Sequence, residues 1–181
     1  MTPLRDKQQR PPHSAARQGT TAGSQSATPW LLAGMFFVAL YITQAIAGWN
    51  LGWLAALQEI ELYKQCTGLA LTLLFLMQWR LTMSRMEGAT QNATRRLVTH
   101  RHWGAAAPLL LLIHANGFGY AYIRVLCFAF LGLISLGLLH QLVSRFKQPW
   151  VMTSWIVVHV ALAAMLICLI GYHGFNSFYY E

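Results

Sequence analysis

Apolar runs alternate with short polar links along most of this chain. The first run, Trp30 to Trp49, holds LLAGMFFVALYITQAIAG between two tryptophans, the aromatic pattern of a helix whose ends meet two membrane interfaces. Residues 50–64 are too short and too polar to cross. Trp53, Leu54, Leu57 and Ile60 keep helical spacing there, which predicts an interfacial amphipathic helix. A second span is expected from Gln65 to Trp79 or Met83, followed by the polar link 84–91. A third opens with Asn92 or Thr90 as N-cap, carries Pro108 inside, and stops at Asn116-Gly117. A fourth runs from Tyr122 to Val143, and a fifth from Pro149, a favoured first-turn residue, to Gly174. The expected fold is all-α: an integral membrane bundle of five spans over residues 30–174, with a short tail at 175–181.

Residues 1–29 are basic and rich in Ser, Thr, Gln and Pro, without hydrophobic periodicity. They bury too little apolar surface to order themselves, so a disordered cytosolic tail is expected, with His13 solvated. Pro11-Pro12 argues against an amphipathic targeting helix. With the N-terminus inside, the inner segments 1–29, 80–101 and 144–149 hold eleven of the thirteen Lys and Arg residues; Lys64 and Arg124 alone fall outside. This bias predicts an N-inside, C-outside arrangement. It also accounts for the net charge of +8 without nucleic acid as a partner. With 56% apolar and 10% charged residues, the composition excludes an ordinary soluble or disordered domain. Cys66, Cys127 and Cys168 each fall within an apolar run and read as small buried hydrophobes, with no CxxC spacing.

The chemistry lies in four histidines. His100 and His114 stand fourteen residues apart on the third span, and His159 and His173 repeat the interval on the fifth. Fourteen steps return to within about 40° of the same helix face, roughly 21 Å further along, inside a hydrocarbon core about 30 Å thick. The two spans run in the same direction, and their histidines lie at similar depths. Two facing imidazole pairs follow, each able to fill both axial positions of a haem iron. Ionisable residues within spans are costly and mark function. The small residues Gly104, Ala105, Ala106 and Ala107, with Ala161, Ala163 and Ala164, would make room for a porphyrin or let helices pack closely. His102 is about 120° off the ligand face, and both it and His140 read as structural. Arg95, Arg96 and Arg101 beside His100 offer charge to propionates, although topology alone explains them. Tyr120, Tyr122, Tyr172, Trp103 and Trp155 read as belt and packing residues.

HRHWGAAAPLLLLIHA resembles the third helix of the ferric reductase-like transmembrane domain, in which a basic stretch and a small residue precede a helix histidine by about ten positions. Gly104 and His114 stand in that relation. The resemblance covers about residues 92–174 and implies that His100, His114, His159 and His173 bind two haem b groups, or one with the other pair idle. That family usually has six spans against the five expected here. Its oxidases and reductases continue into a flavin- and nicotinamide-binding domain. No glycine-rich phosphate loop occurs here, so a separate donor is expected. The expected function is that of a membrane cytochrome b subunit, an electron-transfer component rather than a complete enzyme. It would work in a bacterial inner membrane with a flavin, quinol or cytochrome-type redox partner, alone or in a multi-subunit complex. The alternatives are a haem-free scaffold or assembly subunit and a small proton-relay transporter. The second lacks acidic residues within its spans.

Overall fold

The computed structural model describes residues 29–86, 88, 93–146 and 148–179. The expected tail disorder and the Asn92 or Thr90 cap lie outside these residues. Among the described residues every regular element is a helix: α1 (Pro29–Ala47), α2 (Gly52–Glu59), α3 (Glu61–Met86), α4 (Ala93–His114), α5 (Ala121–Leu138), α6 (His140–Val143) and α7 (Pro149–Tyr179).

Four stretches are long and apolar enough to cross a membrane: Pro29–Ala47, Glu61–Ser84, Ala121–Leu138 and Pro149–Tyr179. Their surfaces are inverted relative to a soluble bundle. Leu32, Met35 and Phe36 on α1, Leu69, Leu73 and Leu76 on α3, and Val157, Val158 and Met165 on α7 all face outward. A soluble monomer rarely exposes so continuous an apolar surface, whereas lipid is the natural medium for it. The protein is a membrane helical bundle. α4 is less apolar, because Arg95, Arg96, His100, Arg101 and His102 occupy its first half. Even so, it lies at the middle of the bundle, packed against α1, α2, α3 and α5.

Contacts at the two ends fix the directions. Arg101 lies over the Trp30 ring at one end, and Tyr41 reaches Gly117 at the other, so α1 and α4 are parallel. Gln78 bonds the His100 carbonyl and Thr67 meets His114, which makes α3 antiparallel to α4. Trp155 bonds Leu136 while Tyr122 meets His173, and α7 therefore runs against α5 and along α4.

Several boundaries depart from the sequence expectation. α3 begins at Glu61, four residues before the expected Gln65. Ile60 is extended (φ −75°, ψ 120°) and breaks the polar segment in two, so its second half joins the long helix. The fourth expected span divides at Leu139, leaving α6 as a single turn. α7 continues through Gly174 to Tyr179. A glycine stop works through a left-handed φ, which among the described glycines is adopted by Gly48, Gly88 and Gly119 but not by Gly174. Of the three cysteines only Cys127 is buried; Cys66 and Cys168 face outward, correcting the expectation that all three fill the core. Pro108 is fully buried within an unbroken α4.

The core is a narrow seam. Tyr41 and Leu166 are its largest sealed side chains, with Phe75, Leu111, Phe130 and Ile134 around them. Gly34 brings α1 against α4: a Cβ there would lie 2.7 Å from Leu138 Cδ2 and 3.1 Å from Ala105 Cβ. Gly34→Val is therefore expected to lower stability by about 1–3 kcal/mol through overpacking, read as a lower midpoint of thermal unfolding in detergent. The same change at Gly171, where a Cβ meets nothing within 4 Å, should leave the midpoint near wild type.

Candidate functional site

The four histidines come together as two facing pairs. His100 on α4 faces His159 on α7 with ring centroids 6.4 Å apart and planes at 69°. His114 faces His173 at the same 6.4 Å, with planes at 78°. Other ring pairs in this protein range from 4.9 Å for His140 and Trp155 to 6.1 Å for Tyr122 and His173. The helices that carry the pairs stand apart. Among the described residues no Cα of α4 comes within 8 Å of a Cα of α7. Bundle helices usually pack with axes 8–10 Å apart, so the histidines face each other across a gap wider than ordinary packing leaves.

At the His100–His159 level that gap opens into a cavity of about 300 Å³. Its wall is apolar, built from residues such as Leu74, Phe75, Phe130 and Ile134, with Gln78, Arg101 and His140 as polar members. Gly104, Ala105 and Ala107 line it. Ala161 and Ala164 point outward instead, so those two make no room for anything between the helices. Ala105 has a second use, as the surface on which Gly34 packs. Trp155 stacks on His159 with planes at 18° and donates its indole N–H to the Leu136 carbonyl at 2.9 Å. Arg101 lies 3.3 Å from His140 Nδ1 and donates to it. Of the three basic residues beside His100, Arg101 lines the cavity, while Arg95 and Arg96 are exposed.

The His114–His173 level is held by hydrogen bonds. The last carbonyls of α4 have no intrahelical donor, and side chains of three helices supply donors for them. Gln58 Nε2 donates to the Leu112 and Ile113 carbonyls, both at 3.0 Å, and the Tyr63 hydroxyl also donates to Ile113. Just beyond, Gln44 donates to Asn116 and Tyr41 to Gly117. The short helix α2 thus anchors the end of α4. Beside it, His114 Nδ1 lies 3.0 Å from Thr67 Oγ1, and the Tyr122 hydroxyl lies 3.5 Å from His173 Nδ1. Gly68 faces the His114 ring, where a Cβ would come 3.1 Å from Cε1; Gly137 faces the His159 ring with more room, at 3.7 Å.

The remaining histidines behave differently. His102 is exposed and donates from Nδ1 to the Val98 carbonyl of its own helix. His140 is part of the cavity wall. Sequence reasoning passed over Thr67, Tyr122 and Trp155 as partners of the paired histidines. Trp155 lies four residues before His159 on one helix face, a spacing that forecasts their contact. Thr67 is one threonine among several, and nothing local marks it.

No protein-family model, curated protein or solved structure matches this chain at a significant level. The reading of the site rests on its geometry.

Gln58→Leu removes both bonds that Gln58 makes to the end of α4 and leaves the part-buried Leu112 carbonyl without its side-chain donor, while Ile113 keeps Tyr63, at a cost of about 1–3 kcal/mol. The expected result is a lower unfolding midpoint together with faster amide hydrogen exchange around residues 112–117. Exchange there at the wild-type rate would show that α2 does not anchor this end.

Proposed function

We propose that this protein is a membrane cytochrome b: a five-span, N-inside bundle that holds two haem b groups at two depths and passes single electrons between the membrane faces. The observation that carries this reading is the pair of equal 6.4 Å ring separations across helices that do not otherwise approach. A metal–imidazole bond of about 2.0 Å and roughly 1.1 Å from nitrogen to ring centre, taken on both sides, gives about 6.2 Å between centroids. The donor sets support the same conclusion. Among the described residues no three His, Cys, Asp or Glu side chains gather as a metal site, whereas zinc and non-haem iron take three or four protein ligands. Two imidazoles alone suit a metal that brings its own equatorial donors, as haem does.

His100 and His159 are the ligands at the inner level, and His114 and His173 at the outer. Haem bound in this way supplies a one-electron couple with both axial positions filled, which favours electron transfer. The chain's own groups do the rest. Leu74, Phe75, Phe130 and Ile134 keep water from the inner site, and Arg101 at the cavity wall offers a positive charge for a propionate. Levels about 21 Å apart along the helices put one site near each face of the bilayer. A flavin, quinol or cytochrome-type partner would exchange electrons at these faces, in what we propose is a bacterial inner membrane.

Purified protein is expected to give a reduced-minus-oxidised spectrum with a b-type α-band and two haems per chain. His114→Ala or His173→Ala should remove about half of that haem, since one axial bond does not hold the group. Haem-free wild-type protein would favour a scaffold role, with the histidines tethering helices. Gly68→Ala should weaken haem retention more than Gly137→Ala, because the added methyl meets the His114 ring at 3.1 Å but the His159 ring at 3.7 Å. For topology, reporters fused at the two termini should be active on opposite sides of the membrane, the N-terminal one inside. Both active on the same side would refute an odd number of spans.

A further inference from the structure

We propose that Thr67 is the positioning residue of the outer site, fixing the tautomer and rotation of His114 so that Nε2 is left as the ligand nitrogen; this rests on the haem reading above. Thr67 Oγ1 lies 2.7 Å from the Tyr63 carbonyl and 3.1 Å from the Lys64 carbonyl, both in its own helix. A hydroxyl has one proton and two lone pairs, and both carbonyls are acceptors only. The proton is therefore committed to the backbone of α3. What Thr67 offers His114 at 3.0 Å is a lone pair. Toward His114 the Thr67 hydroxyl is therefore an acceptor. His114 Nδ1 must carry the hydrogen, and in the neutral ring the free lone pair then sits on Nε2.

Gly68 completes the device. The residue after Thr67 presents no side chain to the His114 ring, and a methyl at that point would meet Cε1 at 3.1 Å. One turn of α3 thus bonds the Nδ1 edge of the imidazole and leaves clearance for its Cε1 edge. His159 is held otherwise. Its Nδ1 is buried with no hydrogen-bond partner among the described residues, and its ring is fixed by stacking on Trp155. Thr67 therefore distinguishes the two levels. An acceptor on Nδ1–H raises the basicity of the metal-bound nitrogen, which favours the oxidised iron at the outer level.

The test compares full-length Thr67→Val, Thr67→Ser and wild-type protein, purified in detergent after expression with ample haem precursor. Haem stoichiometry is measured, and the reduced α-band is followed in a potentiometric titration. Valine keeps the shape of threonine and removes the acceptor. It is expected to weaken haem retention at one site about 10-fold or more and to move one of the two midpoint potentials upward while the other stays. Serine keeps the acceptor and should restore wild-type behaviour. Thr67→Val protein with both potentials and both haems unchanged overturns the proposal. So does a Thr67→Ser variant as impaired as the valine one, since that assigns the residue a packing role. Wild-type protein that purifies without haem would instead overturn the electron-carrier reading, an outcome distinct from two haems indifferent to residue 67.

Discussion

Four imidazoles at two levels between helices that do not touch are the constraint around which this bundle is built. A histidine ring inside an apolar bundle carries two nitrogens that need partners, and lipid supplies none. Ordinary helix packing would close the space between α4 and α7. Here the neighbours prevent it: α1 and α3 grip α4 from one side, and α5 carries α7 on the other. The central gap is thus the product of pairwise packing elsewhere. Gly34 against Ala105 draws α1 onto α4, and each such close approach on the flank leaves the middle open.

Fixing the gap also requires fixing the helix ends. α4 stops at His114, where its final carbonyls lack intrahelical donors, and a side chain at the last position of a frayed helix would wander. Gln58, Tyr63, Gln44 and Tyr41 bond the carbonyls from Leu112 to Gly117. This gives the short helix α2 a structural purpose. It is a bracket for the end of α4, joined to α3 through the extended residue Ile60.

How much of this was legible in the chain follows from what kind of signal each feature leaves. The fourteen-residue interval is a property of one helix at a time, so periodicity alone predicted which histidines would share a face, and both pairs face each other as expected. Helix directions also followed, because short links force neighbours to alternate. The hydrogen-bond partners of the histidines did not follow. Thr67 lies 47 residues from His114, and its selection from the other threonines depends on the rotation of α3, which no local pattern encodes. The continuation of α7 through Gly174 was missed because a glycine permits a stop without imposing one. Cys66, Cys168, Ala161 and Ala164 are small residues whose facing depends on helix rotation, and for them composition gave the wrong side.

The two levels share a pair of histidines, a ring separation and the same two helices, yet their surroundings differ in kind. Around His100 and His159 lie an apolar cavity, a stacked indole and a guanidinium bonded to His140. Around His114 lie a hydroxyl and a helix end tied down by amide and phenol donors. Identical side chains acquire distinct chemistry only through such neighbours. A repeat interval in the sequence therefore specifies where the two histidine pairs lie, whereas residues scattered over the other elements of the fold specify what makes their surroundings unlike.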